Sequence, residues 1–474
     1  MHKLTIKILN EVKCSITGLL TDHLRELYNI YGIEKKGAKF MPKFKMGLWD
    51  GKIRFFSTKG ETYTRLLPDI VDYLEATGCY EIDLIDDRNQ IPFYQGEIDE
   101  NFMMDTALVQ VKLRDYQVEM VNLCLKETSG FLESCTGSGK TLTCAALAKA
   151  LYQLNQRTII IVPSGDLVEQ TAETFEMCGL PYGTYSGGSK NLDPPITVAT
   201  WQALQYAPEI LRKYNAFIVD ECHTLTGQVL KDLINEYGGH IGYRFGVTGT
   251  FPPDEVDKFA CHASIGQILY QLPAWKLIEA GYLAKIRIQP VEIQDKKKLN
   301  SQEFPDFDIE RKYLTTSQER LELIAEDLQS TINQYGNSLI LVGDVEQGKR
   351  LQQLIPNSTF LYGDNKIKER QRAYKRFEEE DDVIVIATMK IASTGISINR
   401  IFFLGLVDIN KSFTKVIQAI GRGLRKAHDK DEVFAKDYYS SLKYSKKHFS
   451  SERKKFYTEA RYPIEPTIKI KHRS

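Results

Sequence analysis

Short runs of consecutive apolar residues, separated by helical stretches, constrain the fold of this chain more than any other feature. Seven of them fall into two series, at residues 159–162, 196–199, 217–219 and 245–247, and then at 338–342, 383–387 and 402–406. Strands without polar alternation are buried on both faces, which is typical of the parallel sheets of α/β proteins. We therefore predict two doubly wound parallel-sheet units in tandem, with a junction near residues 281–285.

A different pattern occupies the first part of the chain. Residues 4–9 alternate between apolar and polar as a strand does, and residues 21–31 place apolar side chains on one face of a helix. By the same criteria two strands and a helix follow, at residues 52–56, 80–84 and 67–77. This order predicts a small α+β domain over residues 1–88 and an acidic, turn-rich linker at 89–106.

The composition excludes several classes of protein. The 62 Lys and Arg residues balance the 62 Asp and Glu residues, so the whole-chain charge does not indicate a polyanionic partner. The eight cysteines contain no C-x-x-C pair, which argues against a zinc ribbon or a disulfide framework. No apolar run approaches the length that crosses a bilayer. We expect a cytoplasmic protein with reduced thiols, and the host cytoplasm if the chain is encoded by a phage.

Residues 134–141, Ser-Cys-Thr-Gly-Ser-Gly-Lys-Thr, follow an apolar strand and precede an Ala- and Leu-rich helix. This is the context of a phosphate-binding loop, although Ser134 replaces the first glycine of the usual pattern. Lys140 would reach the terminal phosphates of a nucleotide, and the Thr141 hydroxyl would bind Mg²⁺. The candidate nucleotide-binding residues of this loop are Thr136, Gly137, Ser138, Gly139, Lys140 and Thr141.

The buried run at 217–219 leads into Asp220 and Glu221. Two carboxylates at the end of a strand suit coordination of Mg²⁺ by Asp220 and polarisation of an attacking water by Glu221. A glycine-rich turn or an acidic turn is common by itself. Because the two signals lie some eighty residues apart in one α/β unit, we interpret them together as an ATP and Mg²⁺ site.

Residues 220–223, Asp-Glu-Cys-His, resemble the DExH box of superfamily 2 helicases. Segments similar to the other motifs of that family follow one another in the expected order, at residues 113–117, 163–170, 200–202, 248–250, 339–342, 387–388 with 393–396, and 418–425. The motif that often continues Gly-Ile-Asp has Ser397 in place of the aspartate.

The resemblance implies two RecA-like domains, at residues 107–283 and 284–435, with a basic and aromatic C-terminal extension at 436–474. That extension would either grip duplex or pack as a solvated helix on the second domain. ATP would lie in the cleft between the two domains. Each closure of the cleft would move the domains along a bound strand.

The same resemblance implies a role for single residues. Gln117 would bond the adenine base, Gln418 would lie near the attacking water, and Arg422 and Arg425 would reach the γ-phosphate as arginine fingers. Hydrolysis would be coupled to movement through His223, Thr248, Thr250 and Gly395. The nucleic-acid strand would be contacted by Ser164, Thr200, Gln202 and Thr388.

Residues 40–54 form a basic and aromatic run that resembles the N-terminal domain of the phage UvsW-like helicases. That resemblance implies forked or four-way junction DNA as the substrate. Chemically, lysines can neutralise phosphates and an aromatic ring can stack on an unpaired base. The candidate contacts are Lys43, Lys45, Trp49, Lys52 and Arg54. Alternatively, Trp49, Phe55 and Phe56 are the core of a small domain with a solvated basic face.

The leading hypothesis is therefore an ATP-dependent, Mg²⁺-dependent helicase or translocase that remodels branched DNA. An RNA helicase and a restriction-type translocase on duplex DNA are the enzymatic alternatives. An ATP-binding nucleic-acid clamp without catalysis is the alternative from another class. We expect a monomer that has no membrane association, and the sequence indicates no partner protein.

Overall fold

The structure is a computed structural model that describes residues 2–222, 225, 227–252, 254–295, 307–365, 367–392, 400–408, 421, 424, 427 and 429–472. It contains two compact units, residues 1–134 with 139–271, and residues 272–474 with 135–138. The predicted α/β class, with two parallel-sheet domains and a small α+β part at the N-terminus, is confirmed.

The N-terminal part of the first unit is a small sheet with helices against it. The described strands are β1 (His2–Ile8), β2 (Lys13–Thr17), β3 (Gly32–Glu34), β4 (Lys52–Arg54), β5 (Glu61–Tyr63) and β6 (Tyr80–Asp86). The helices are α1 (Thr21–Ile30), α2 (Pro42–Lys45) and α3 (Leu67–Ala76). The sheet has the order β5-β2-β1-β6, and β1 runs parallel to β6. A separate antiparallel hairpin is formed by β3 and β4.

The rest of the first unit is built on a larger sheet. Its described strands are β7 (Ser129–Ser134), β8 (Thr158–Val162), β9 (Tyr182–Ser186), β10 (Ser189–Lys190), β11 (Ile196–Thr200), β12 (Ala216–Asp220), β13 (Tyr243–Thr248) and β14 (Ile268–Leu272). Its helices are α4 (Asp115–Glu127), α5 (Lys140–Gln153), α6 (Gly165–Met177), α7 (Trp201–Leu204), α8 (Gln228–Asp232) and α9 (Glu255–Ser264). The strand order is β10-β9-β11-β8-β12-β13-β7-β14, and the neighbours from β9 to β7 are parallel.

The second unit contains a sheet in which each described pair of neighbours is parallel, in the order β17-β18-β16-β19-β20-β15-β21. The strands are β15 (Lys285–Gln294), β16 (Ser338–Val342), β17 (Ser358–Leu361), β18 (Ile384–Thr388), β19 (Phe403–Val407), β20 (Glu432–Ser440) and β21 (Ile468–Lys471). The described helices are α10 (Ala274–Glu279), α11 (Phe307–Thr316), α12 (Gln318–Tyr335), α13 (Val345–Leu354), α14 (Ile367–Glu379), α15 (Met389–Ala392), α16 (Lys443–His448) and α17 (Lys454–Glu459).

The chain after residue 435 is part of this second fold. β20 runs from Glu432 to Ser440, so the predicted boundary between 435 and 436 falls inside a strand. Arg453 is buried and pairs with Asp437 of β20 at 2.8 Å, and Tyr457 donates to the same carboxylate. β21 then extends the sheet beside β15. The described residues after 435 therefore form a packed part of the second unit.

The N-terminal part shares a hydrophobic core with α9. Val256, Ala260 and Ala263 of this helix are buried in the same cluster as the apolar faces of β1, α1 and α3. The ring of Phe259 lies 4.7 Å from the ring of Phe55 and 6.1 Å from that of Tyr31, centroid to centroid. A rigid attachment follows, because a shared core cannot part without exposing apolar surface to water.

Polar contacts lock the same junction. The backbone N–H of Glu11 donates to the carbonyl of Gly239 at 2.9 Å, and Lys13 forms an ion pair with Glu236 at 2.8 Å.

The segment 89–106, which the sequence predicts as a linker, packs against the larger sheet. The Tyr243 hydroxyl donates to the carbonyl of Pro92, and Ile98 and Met103 of this segment are buried.

A fully buried arginine organises the elements that hold this junction. Arg244 of β13 donates to the carbonyls of Ile234, Gly238 and Ile241, and twice to that of Ser264 at the end of α9. Buried carbonyls without a donor cost free energy, so this one side chain stabilises the end of α9 and the end of the helical segment Leu233–Tyr237 that continues α8.

Among the described residues, no helix combines the length and the apolar content that a membrane crossing would require.

We expect Arg244→Met to lower the free energy of unfolding of the first unit by about 3 kcal/mol, because several buried carbonyls lose their donor. Urea denaturation followed by circular dichroism measures this change. Arg212→Met, at an exposed arginine of the same unit, is the control and should stay within about 0.5 kcal/mol. Equal midpoints for the two variants would contradict the role given to Arg244.

Candidate nucleotide and nucleic-acid sites

The motifs of the first unit meet at the carboxyl edge of its parallel sheet. The strands β11, β8, β12, β13 and β7 are successive neighbours, and each ends in a predicted motif. In register, Asp220 lies opposite Val247, and Thr248 lies opposite Glu133. Ligands of open α/β sheets bind beyond the carboxyl ends of the strands. This edge is therefore the candidate site.

The loop that follows β7 has the backbone that a phosphate cradle needs. Gly137 and Gly139 have φ values of 88° and 82°, in the left-handed region that favours glycine. A Cβ on Gly139 would lie 2.6 Å from Nε2 of Gln117, so a larger residue would clash there. The loop ends at α5, whose N-terminal amides and dipole attract an anion.

Two predicted nucleotide-binding side chains contact this loop. The ammonium group of Lys140 donates to the carbonyl of Ser134 at 3.2 Å. Gln117 is buried, and its amide nitrogen donates to the carbonyl of Gly139 at 3.2 Å. The Gln117 carbonyl oxygen accepts from the backbone N–H of Arg114 and so closes the start of α4. The structure thus joins the predicted base-contacting residue to the loop.

The carboxylates follow β12 directly. Asp220 is its last residue and accepts a hydrogen bond from the backbone N–H of Glu221 at 2.9 Å. Glu221 has φ = 50°, which is unfavourable for a non-glycine residue and is retained where a side chain must be aimed. The predicted His223 lies outside the described residues.

A buried cysteine lies within electrostatic range of both halves of the site. Burial raises the pKa of the Cys144 thiol well above its usual value, and the charge of Asp220 raises it further, while Lys140 lowers it. The pKa of Cys222 is raised by burial and by neighbouring thiol and carboxyl groups. Both thiols therefore stay protonated at neutral pH and act as small apolar side chains.

Thr248 and Thr250, the predicted coupling residues, form a closed turn. The Thr248 hydroxyl donates to the carbonyl of Thr250 at 2.9 Å and accepts from its N–H at 3.2 Å. The next residue, Phe251, donates its N–H to Glu133 of β7 at 3.1 Å. α9 begins four residues later, at Glu255, so this turn adjoins the helix that holds the N-terminal part.

The predicted strand contacts Ser164, Thr200 and Gln202 lie at the ends of the neighbouring strands β8 and β11. Ser164 and Thr200 accept hydrogen bonds from backbone N–H groups at the starts of α6 and α7. Gln202 joins the two loops, because its amide donates to the carbonyl of Pro163 at 2.8 Å. Close by in sequence, Tyr206 is 85% exposed. The sequence does not single out Tyr206, since a tyrosine among apolar residues does not reveal its exposure.

In the second unit, Thr388 is the last residue of β18 and is buried. Gly395, Gln418, Arg422 and Arg425 lie outside the described residues, so their assigned roles stay predictions.

The predicted DNA contacts of the N-terminal part fall into two groups. Lys43 and Lys45 are exposed, and neither pairs with a carboxylate among the described residues. Lys52 and Trp49 are half-buried, and the Trp49 indole donates to the carbonyl of Lys52 at 2.8 Å. Arg54 is largely buried, pairs with Asp50 and stacks 4.4 Å from the ring centroid of Tyr28.

The aromatic residues of this segment divide in the same way. Phe55 and Phe56 are core residues, as the alternative interpretation has it. By contrast Phe40, Met46 and Leu48 are exposed, although the sequence analysis singled out Trp49. Five large apolar residues among lysines between 40 and 48 were the signal that could have indicated this surface.

Comparison with known families agrees with this geometry. Residues 110–253 match the family of the res subunit of type III restriction enzymes, and residues 319–427 match the helicase conserved C-terminal domain. The chain is therefore a superfamily 2 helicase, an ATP-hydrolysing enzyme. Residues 10–86 match the N-terminal family of the DNA helicase UvsW. Together the three matches place the chain among the UvsW-like helicases.

Individual relatives cover most of the chain. The ATP-dependent DNA helicase UvsW of Enterobacteria phage T4 is 25% identical over 473 residues, which is 94% of this chain and 91% of the relative. The DNA 3'-5' translocase XPB2 of Sulfurisphaera tokodaii is 25% identical over 75% of this chain and 89% of its own length. The solved structure of S. cerevisiae Dbp5 bound to RNA and ADP BeF3 has a TM-score of 0.55 at 17% identity, over 76% of this chain and 90% of Dbp5. That likeness concerns the fold alone.

We expect Lys140→Ala and Glu221→Gln each to lower ATP turnover stimulated by nucleic acid by at least about 100-fold, because a phosphate contact and a general base are lost. A coupled assay of ADP release measures this. The exposed residues Lys126 and Glu173 provide matched controls, and Lys126→Ala and Glu173→Gln should keep full turnover. Normal turnover by Lys140→Ala or Glu221→Gln would remove these residues from the site.

Proposed function

We propose that this helicase uses ATP hydrolysis to unwind or remodel branched DNA, such as forks and four-way junctions. The observation that carries the proposal is an exposed, strongly basic segment on a domain that is fixed to the first motor sheet. Residues 35–51 contain five lysines and one aspartate, a net charge of +4 in a chain whose formal net charge is zero. The N-terminal family match and the name of the phage T4 relative support the same substrate class.

For the chemistry at the carboxyl edge, the proposal assigns a role to each side chain. Lys140 and the amides of the phosphate loop hold the phosphates of ATP, and Glu221 accepts the proton of the attacking water. The Thr141 hydroxyl and the Asp220 carboxylate are hard oxygen donors of the kind that Mg²⁺ prefers, so they would hold the ion that neutralises phosphate charge. Gln117, whose side chain donates to the carbonyl of Gly139, would form a hydrogen bond with the adenine base of ATP.

We assign contact with the nucleic-acid strand along which the motor moves to the two neighbouring loops after β8 and β11. Ser164 lies in the loop after β8, and Gln202 at the start of α7 donates to the carbonyl of Pro163 in that loop. The start of α6 offers backbone N–H groups to a phosphate. Tyr206 is the most exposed large side chain near them and can stack on a base. Thr388 is assigned to the strand by resemblance. These contacts are to the sugar-phosphate backbone and to the faces of the bases, so they do not depend on the nucleotide sequence.

For the branched substrate, the proposal assigns the phosphates to Lys43 and Lys45, with Lys52 beside them. Arg54 pairs with Asp50 and stacks on Tyr28 below the surface, so we assign it to the shape of the segment. A branch point brings several phosphate backbones together, and a compact cluster of cations gains most from such a site.

ATP turnover with five ligands tests the substrate class: single-stranded DNA, duplex DNA, a fork, a four-way junction, and single-stranded RNA. We expect the lowest half-saturating concentration for the fork or the junction. A preference for RNA would support an RNA helicase, and a preference for long linear duplex would support a restriction-type translocase. Tight ATP binding without turnover on any ligand would indicate the clamp. Each of these three results contradicts the proposal.

We expect Lys43→Gln combined with Lys45→Gln to weaken binding to a fork and to reduce the slope of log affinity against log salt by about 1.8, since two phosphate contacts release fewer ions. Fluorescence anisotropy at several salt concentrations measures the slope. Lys3→Gln combined with Lys59→Gln is the matched control, because both lysines are exposed in the same domain. Equal slopes for the two double variants would show that the 35–51 segment does not bind the backbone.

A further inference from the structure

The loop between β3 and β4 exposes more apolar surface than its size explains. The side chains of Phe40, Met46 and Leu48 are 71%, 63% and 74% exposed, and those of Met41 and Phe44 are more than a third exposed, at 39% and 38%. All five lie within nine residues. Single exposed apolar residues are common, but a cluster of large ones marks a surface that another molecule covers. We call residues 35–51 the prong.

The base of the prong is held in one conformation. Ala38 is buried, and the N–H of Lys35 donates to the carbonyl of Gly51 at 2.8 Å. Gly51 has φ = 82°, and a Cβ there would lie 3.1 Å from both Ala38 and the ring of Phe44. The Trp49 indole is tied to β4 by its hydrogen bond to Lys52. The exposed apolar side chains therefore project from an ordered turn.

The domain beneath the prong is fixed as well. Phe55 follows β4 directly and packs on Phe259 of α9, and Tyr31 precedes β3 and packs on the same ring. Both ends of the prong therefore lie next to the core that is shared with the first motor sheet. The base of the prong is thus continuous with the core that joins this domain to α9.

Charge indicates what covers the prong. Lys36, Lys39, Lys43 and Lys45 are exposed and alternate along the sequence with the apolar residues, and Asp50 is the single acidic residue of the segment. Apolar side chains set among cations match the end of a nucleic-acid duplex, where a flat base pair is flanked by two phosphate backbones. A neutral apolar partner would not require the lysines.

We propose that the prong stacks its apolar side chains, Phe40 and Leu48 foremost, against the terminal base pair at a DNA branch point, and so holds the two strands apart. The lysines of the prong grip the phosphates on either side. This inference rests on the proposed function, and it assigns strand separation to a surface outside the ATP site. Trp49, which is held to β4, supports the prong and does not stack on the base.

The test uses the full chain without ATP, and a fork that carries 2-aminopurine in the base pair at the branch point. Binding by the wild-type protein should raise the fluorescence of the probe, because its stacking on the next base pair is lost. Phe40→Ala combined with Leu48→Ala should bind the fork but leave the fluorescence at the level of free DNA. Ile30→Ala combined with Leu84→Ala is the matched control, since both residues are more than half exposed in the same domain. The control should behave as wild type.

A second measurement follows strand separation with ATP. We expect Phe40→Ala combined with Leu48→Ala to slow unwinding of the fork by at least about ten-fold, a loss within the range of one base stack. ATP turnover on single-stranded DNA should stay at the wild-type level. Both substituted residues are exposed, so melting followed by circular dichroism should show the same midpoint as wild type.

The inference is overturned if the double variant retains the fluorescence change, if wild type shows none, or if unwinding and single-strand ATP turnover fall together. Failure of the proposed function gives a different pattern. In that case wild-type ATP turnover does not favour forks or junctions, while the fluorescence change and its loss in the variant persist on any duplex end.

Discussion

The buried side chain of Arg244 supports the surface on which the N-terminal part is attached to the first motor sheet. Its guanidinium donates to carbonyls at the ends of two helical segments, one of which is α9. Those segments carry the surface on which the N-terminal part rests, through Phe259 and the carbonyl of Gly239. Because buried carbonyls must find donors, a fixed guanidinium at this point determines where both segments end. The shared apolar core and the Glu11–Gly239 hydrogen bond therefore rest on segments that Arg244 stabilises.

The same strand that carries Arg244 also carries the candidate coupling turn. β13 begins at the junction side and ends at Thr248, between the phosphate-loop strand and the carboxylate strand. The turn at Thr248 and Thr250 adjoins α9 in sequence. One strand and one helix therefore connect the nucleotide edge of the sheet with the domain that bears the prong. A short, fully packed connection of this kind can transmit a displacement, because packed cores deform little.

The division of labour within the basic segment has a simple physical basis. Arg54 and Trp49 are bonded to neighbouring groups, whereas the lysines, Phe40 and Leu48 present their surfaces to solvent. A rigid support reduces the entropy that a recognition surface loses on binding.

The sequence by itself determined the α/β class, most motor strands and the residues of the phosphate loop and carboxylate pair, because apolar runs and glycine spacing report local burial and backbone freedom. It did not reveal β20 and β21 as strands of the second sheet. Both strands contain charged residues, and Asp437 of β20 is buried only because the fold brings Arg453 to it. It also could not show that Phe55 is buried and Phe40 is exposed. Exposure depends on which surface the rest of the chain covers, and here α9, some two hundred residues away, covers the one and leaves the other to solvent.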